Sequence, residues 1–300
     1  WQDADRARLA GRIELDVEPD APLQIAGRLE IEEATVADDL VADVPIRLDA
    51  AIEGVGSWFP DESRLVFTGT RLELGAAALE LEGTLRGDPS SYHLDLRAKL
   101  PRTDCNDAVH AIPSDLLGRL AAFRWQGTLA GVMHLGLDSG DLDATELRLE
   151  VEDRCRFVEV PRVADLRRLQ GLFRHDIVTG DGNVETVVTG PDTDAWTPLE
   201  SISPYLIHAV LAHEDATFFR HEGFAVFAIE RALERNLAAG EVVEGASTIS
   251  MQLAKNLFLE RERTLARKLR EAILTWWIES ALTKAEILEL YLNVIEYGPG

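Results

Sequence analysis

The period of the hydrophobic pattern changes partway along this chain, and no single element type accommodates both periods. From Gly11 to about Val160 apolar and polar residues alternate. Ile13, Leu15 and Val17 do so, then Val44, Ile46, Leu48 and Ile52, then Leu72 and Leu74. Tyr92, Leu94, Leu96 and Ala98 follow, then Met133, Leu135 and Leu137, then Leu147, Leu149 and Val151. Successive strand side chains point to opposite faces, so this spacing predicts half-buried strands. After Trp196 the apolar spacing is that of helices. The expected fold class is α+β and multidomain, because 300 residues exceed what one core usually supports.

Turn signals divide the strands at Pro19-Asp-Ala-Pro22, Gly54-Val-Gly56, Pro60-Asp61, Gly87-Asp-Pro89 and Asp138-Ser-Gly140. Many short strands, each with a polar face, predict an antiparallel β-rich meander or an elongated repetitive sheet. One helical insertion is expected at 113–123, with Ser114 as its N-cap. Residues 1–160 are therefore read as a β-rich scaffold or interaction domain. Residues 161–195 are a connecting segment, with a short amphipathic piece at 163–173, a hairpin turn at Thr179-Gly-Asp-Gly182 and a linker at 190–194. Residues 196–300 form a mainly helical domain.

Charge divides the chain in the same way. The formal net charge is -23, from 53 acids and 30 bases. Residues 201–300 hold 14 acids and 10 bases, which leaves 39 and 20 for residues 1–200. So acidic an amino-terminal part argues against nucleic-acid binding and against electrostatic attachment to anionic lipid. No apolar run of about 18 residues is present. A start at Trp1 and an end in a Gly-rich turn suggest a fragment cut at both ends. Cys105 and Cys155 are read either as two buried thiols or as a disulfide.

Five helices are expected in the last third. Ser203 and Pro204 open the first, 225–239 is the second, and 247–259 the third. Residues 263–282 make the fourth, and the capping box Thr283-Lys-Ala-Glu286 opens the fifth, 285–293. Glu214 sits at the end of an apolar helix face beside Phe218 and Phe219 and is read either as part of a solvated helix terminus or as a desolvated acid whose pKa is expected to rise, making it a proton acceptor. His221 is expected to turn back and hold that acid. His208, His213 and His221 lack the helical spacing of a zinc site. Ser247 or Thr248 is read either as a plain helix cap or, with Gln252, Lys255 and Asn256 projecting from the same first turns, as part of a receptor for phosphate or pyrophosphate. Arg267 and Lys268 are spaced to pair with Glu271, either as an ordinary exposed ion-pair ladder or as a carboxylate held between two cations. Trp276 and Trp277 fit helix packing or a meeting with lipid.

In order, these segments resemble the family 51 glycosyltransferases, the peptidoglycan transglycosylases, and most closely the monofunctional biosynthetic type. Glu214, Asp215, Phe218, His221 and Gly223 match Glu-Asp-x-x-Phe-x-x-His-x-Gly. Gly245, Ser247, Thr248, Gln252, Lys255 and Asn256 match Gly-x-Ser-Thr-x-x-Gln-Gln-x-x-Lys-Asn, with Met251 in place of the first glutamine. Arg267, Lys268 and Glu271 match Arg-Lys-x-x-Glu. Lys284, Ile287, Leu288, Tyr291, Leu292 and Asn293 match Lys-x-x-Ile-Leu-x-x-Tyr-Leu-Asn, and Glu296-Tyr-Gly-Pro-Gly300 resembles the start of a fifth motif. The front part is only vaguely similar to AsmA-type repetitive β-sheet envelope proteins.

The resemblance implies a lysozyme-like transglycosylase domain at 196–300, ending within the fifth motif. It implies a peptidoglycan glycosyltransferase that polymerises lipid II into β-1,4-linked glycan with inversion and release of undecaprenyl pyrophosphate. Glu214 would be the general base and Glu271 would assist departure of the pyrophosphate, directly or through a possible divalent cation, Mg or Mn. Lys255, Arg267 and Lys268 would neutralise phosphates. Asp215, Phe218, His221, Ser247, Thr248, Gln252 and Asn256 would bind or orient substrate. By analogy with inverting hydrolases, the two acids would stand roughly 6.5–9.5 Å apart.

The implied partners are lipid II, the growing glycan strand, a membrane surface met by the transglycosylase domain, and possible cell-wall synthesis proteins met by the β-rich domain. The implied location is the periplasmic side of the bacterial inner membrane, anchored by a segment outside this sequence. An oxidising envelope favours the Cys105–Cys155 disulfide. Met251 motivates an alternative, a non-catalytic lipid II or glycan-binding scaffold with a degenerate transferase module. A glycan hydrolase is the weakest option, since a neutral glycan needs no cluster of Lys255, Arg267 and Lys268.

Overall fold

The computed structural model describes residues 7–19, 21–87, 91–178, 183–241, 243–260 and 264–295. The hairpin turn expected at 179–182, the fifth-motif residues 296–300 and parts of the turns at 19–22 and 87–89 lie outside the described residues. The secondary structure combines a large antiparallel sheet with helices, as expected of an α+β chain.

The period-two region folds into strands β1 (Arg8–Asp16), β2 (Leu23–Val36), β3 (Ile46–Phe59), β4 (Arg64–Leu74), β5 (Ala77–Gly87) and β6 (Tyr92–Asp104). After α1 (Cys105–His110), α2 (Ser114–Leu117) and β7 (Arg124–Gln126) come β8 (Thr128–Asp138), β9 (Glu146–Asp153) and β10 (Arg156–Glu159). Eight strands form one sheet in the order β1-β2-β3-β4-β5-β6-β8-β9, and β7 pairs separately with β10. Neighbours are antiparallel throughout, so the sheet is the expected meander.

Register follows the alternation. Leu9 pairs with Ile31 and Ile31 with Ala50, while Leu29 pairs with both Gly11 and Ile52. Across the later strands Leu85 faces Leu94, Leu94 faces Leu137, and Leu135 faces Leu147. These pairs put the apolar residues of each strand on one face. The other face carries ion pairs. Arg28 joins Glu30, Glu53 and Glu73, Lys99 joins Glu80, and Arg97 joins Glu82. On the apolar face Leu9, Ile13 and Leu15 of β1 remain exposed. Bulges at Ile31/Ala34 and Phe67/Thr70 interrupt the register, and Glu33 and Gly69 take positive φ there (53° and 61°).

The expected helical insertion is shorter than its sequence span. α2 covers one turn and stops at Gly118, whose φ of +54° leaves the helical region, and a 3-10 turn completes the segment to Ala122. The alternation gave no sign of α1, which Asp104 caps by accepting from the backbone N–H groups of Asn106 and Asp107. Cys105, the first residue of α1, forms a disulfide with Cys155, with Cα atoms 5.9 Å apart.

Beyond β10 lie two 3-10 turns at 162–164 and 166–170, then the hairpin β11 (Phe173–Val178) and β12 (Val184–Thr189). Five helices follow: α3 (Pro204–Glu214), α4 (Val226–Ala239), α5 (Ile249–Phe258), α6 (Leu265–Ala281) and α7 (Lys284–Val294). Their number and order match the 3.6-residue spacing. Residue Arg263, the expected start of the fourth helix, lies outside the described residues. Among those residues no helix is long and apolar enough to cross a membrane.

The chain divides into two compact units. The first takes Trp1–Leu116, Arg124–Val158 and Val226–Gly245, the second Leu117–Phe123, Glu159–Ala225 and Ala246–Gly300. In the first unit α4 packs against β9 and the turn at 142–144. In the second, α5 packs against α6 and α7 around Leu253, Leu274, Ile278, Ile287 and Leu288, all of them buried. Trp277 belongs to this packing, since its indole N–H donates to Ala164 O at 2.9 Å and its ring lies 6.1 Å from that of Phe123.

Candidate functional site

Helix α3 delivers Glu214 as its last residue. The next residue, Asp215, leaves helical geometry (φ -161°, ψ 77°) while its N–H still bonds Leu211 O, so two adjacent carboxylates are sent in different directions. The Asp215 side chain is buried. It accepts from His221 Nε2 at 3.1 Å and from the backbone N–H of Ile249, the first residue of α5, also at 3.1 Å. His221 Nδ1 accepts from Gly223 N–H at 3.1 Å, which places the imidazole proton on Nε2 toward Asp215. The expectation that His221 holds Glu214 is therefore corrected: the imidazole serves the neighbouring aspartate.

Asp215 also changes the reading of α5. The amide of Ile249 is taken by that carboxylate, and Thr248 Oγ1 caps the amide of Met251 at 3.2 Å. These two amides of the first turn are engaged by the protein's own groups, so the turn is not the open phosphate receptor that its hydroxyls suggested. Thr248 is buried and donates to Gly223 O at 2.7 Å. Gly223 has φ +91°, and a Cβ there would stand 2.9 Å from Thr275 Cγ2 and 3.1 Å from Glu279 Cγ. Glycine is required because this loop lies directly on α6.

Glu214 is the accessible acid of the pair, with about a third of its side chain exposed (35%). Gln252 Nε2 donates to Oε2 at 2.8 Å, and His213 Nδ1 lies 3.0 Å from Oε1. The Gln252 hydrogen bond outweighs desolvation, and His213 and Lys255 add to it, so the Glu214 pKa is held below its ordinary value. The sequence suggested the opposite shift. Its apolar neighbours predicted desolvation, whereas donors 38 residues away decide the sign.

Glu271 is fully buried on α6 (1% exposed). Arg267 Nη1 donates to Oε2 and Lys268 Nζ to Oε1, each at 2.7 Å. Of the two sequence readings, the structure selects a carboxylate held between two cations. Lys268 Nζ also reaches Ser247 Oγ at 3.3 Å, and its side chain is nearly half exposed. Lys255 is exposed on α5, and Asn256 beside it is half-buried.

The donor set does not fit a protein-held divalent cation. Both Glu271 oxygens are engaged by cations, and among the described residues no group of three His, Cys, Asp or Glu is placed to hold a metal.

Several supporting residues were not singled out by sequence reasoning. Tyr291 OH donates to Gln252 Oε1 at 3.1 Å, and only its place in the fourth motif could have marked it. Glu279 accepts from Ser250 Oγ and from Lys284 Nζ, and the latter ammonium lies 4.4 Å from the centre of the buried Phe218 ring. Glu289 accepts from Trp196 Nε1 at 3.1 Å and from Leu199 N at 2.8 Å, tying the entry of the helical region to α7. The second unit's cleft of about 640 Å³, lined by Leu166, Leu169, Trp196, Trp277, Leu282 and Leu290, contains none of the candidate site residues.

Residues 181–300 match the family model described as Transglycosylase. The chain is 54% identical over 103 residues to the biosynthetic peptidoglycan transglycosylase of Nitrosospira multiformis, covering 34% of this chain and 45% of that protein. It is 54% identical over 105 residues to the protein of the same name from Chromobacterium violaceum, covering 35% and 46%. With the one from Laribacter hongkongensis it shares 50% over 115 residues, covering 37% and 50%. The chain thus spans about half the length of the curated relatives it matches.

Proposed function

We propose, from the premise that residues 181–300 are a transglycosylase-family segment, that the intact protein is a peptidoglycan glycosyltransferase acting on lipid II and the growing glycan strand. The observation that carries this reading is the division of labour between two acids. Glu214 is accessible and ionised beside donors, while Glu271 is buried and spends both oxygens on Arg267 and Lys268.

In this reading Glu214 takes the proton of the acceptor GlcNAc 4-hydroxyl. The freed oxygen attacks the donor's anomeric carbon from the face opposite the leaving group. That carbon's bond to the pyrophosphate oxygen breaks with inversion, and the lipid pyrophosphate departs with the bonding electrons. Lys268, Arg267 and Lys255 meet its charge, Ser247 and Asn256 line the approach, and buried Thr248 fixes the start of α5 behind them. Glu271 acts through its two cations, fixing where they stand before substrate arrives. Asp215, His221 and Phe218 shape the turn that presents Glu214.

The same reading places residues 196–300 in a lysozyme-like transglycosylase domain and residues 1–160 in a β-rich scaffold that meets cell-wall synthesis proteins, joined by 161–195. Work on lipid II puts the protein on the periplasmic face of the inner membrane. Exposed Tyr205, Leu206 and Phe219 supply apolar contact for the membrane surface.

The test is polymerisation of lipid II by the intact protein. Glu214→Gln is expected to lower the rate at least about 100-fold, the usual loss when a general base is removed. An undiminished rate overturns the assignment of the base. Lipid II binding without polymer by the parent protein selects the scaffold alternative.

A further inference from the structure

Gln252 touches the base, yet a glutamine amide is not directional by itself. Its terminal torsion is broad, and the oxygen and nitrogen ends exchange by a half-turn. With the nitrogen toward Glu214 it donates to a carboxylate; after a half-turn, an acceptor faces an acceptor and the ionised acid loses its partner. Ionised Glu214 already favours the N–H end, and a donor to the amide oxygen adds to that preference and holds the amide in place. Gln252 Oε1 receives the hydroxyl proton of Tyr291 at 3.1 Å while Gln252 Nε2 donates to Glu214 Oε2 at 2.8 Å. The chain runs from α7 through α5 to the end of α3. Tyr291 is almost fully buried (2% exposed), as are Ile287, Leu288 and Val294 of the same helix.

We propose that Tyr291 is a positioning residue for the base: by donating to Gln252 Oε1 it holds the amide where its N–H meets Glu214. The inference rests on the reading of Glu214 as the base, and it assigns the hydroxyl of the fourth motif to the chemistry of the first. The groups facing Glu214 are His213 from α3, Gln252 and Lys255 from α5, and Tyr291 through Gln252. His213 and Lys255 act by charge whichever way the amide points, so Tyr291 controls only the Gln252 contribution. That contribution is the largest of those lowering the Glu214 pKa.

Tyr291→Phe keeps the ring in the core and removes only the hydroxyl. In lipid II polymerisation by the intact protein, the acid limb of kcat/KM is expected to move up by about 0.5–1 pH unit, which makes the variant about three- to tenfold slower on that limb. Gln252→Met should shift the limb at least as far. Tyr291→Phe added to Gln252→Met should shift it no further, because the hydroxyl then has no amide to orient.

A folded Tyr291→Phe protein with an unmoved acid limb overturns the proposal. So does a rate loss equal at every pH and additive with Gln252→Met, which marks a packing role. If Tyr291→Phe does not fold, Gln252→Met decides: an unmoved limb shows that there is no orientation for Tyr291 to control. Failure of the underlying reading looks different, since Glu214→Gln would then retain polymerisation whatever Tyr291 does.

Discussion

Two arginines, Arg28 and Arg267, show how the same pairing does different work in the two units. Arg28 on the sheet reaches Glu30, Glu53 and Glu73 at 2.7–3.0 Å. Yet its surroundings are open, with 34–60% of the partner side chains exposed, and water screens such pairs nearly to nothing. Arg267 pairs with Glu271, and that carboxylate is removed from water and shared with Lys268. Burial makes this arrangement costly to disturb and, in the proposed function, fixes two cations in advance of an anionic ligand. Exposed pairs on the sheet keep one face polar. Buried pairs among the helices build a site.

If the sheet's charges contribute little, its unit must depend on other restraints, and the largest expected effect follows. Removing the Cys105–Cys155 bridge by a double serine substitution should cost about 4 kcal/mol, the chain-entropy value for a loop of 50 residues. Denaturant unfolding measures this, and an unchanged midpoint breaks the comparison on the sheet side. Next comes Glu271→Ala, expected to cost about 3 kcal/mol by removing the buried carboxylate that Arg267 and Lys268 share, at the low end of the usual range because Lys268 can turn to water. Glu53→Ala on the sheet should leave the melting temperature unchanged. Equal responses from the two glutamates would remove the distinction drawn here.

A smaller effect tests the loop that supports the base. Gly223→Ala places a Cβ against Thr275 and Glu279 at φ +91° and should cost about 1–3 kcal/mol. Polymerisation should fall as well, since the Asp215–His221 turn shifts with that loop.

The sheet was legible because alternation is a local property: each strand announces its own faces, and a meander joins neighbours in sequence. Five helices were legible for the same reason, down to the capping box of Thr283 and Glu286. What escaped were features set by distant partners. α1 hides behind a cysteine and an aspartate cap that no periodicity marks. The pKa direction of Glu214 could not be read from Phe218 and Phe219, since Gln252 and Lys255 decide it from another helix. His221 was assigned to the wrong carboxylate because Glu214 and Asp215 are adjacent in sequence, and only the backbone turn at Asp215 separates them. Met251 contributes its backbone to the Thr248 cap, which any residue type supplies.

The central claim is that Glu214 is a base kept ionised by its neighbours, and the acid limb of kcat/KM for lipid II polymerisation reports the pKa of that base in the free enzyme. With Glu214 held below its ordinary value by Gln252, His213 and Lys255, activity should persist as pH falls and be lost only below the range in which an unperturbed glutamate titrates. An acid limb at about pH 6 or above would contradict the account, because it would mean that desolvation, and not the amide, sets the state of the base.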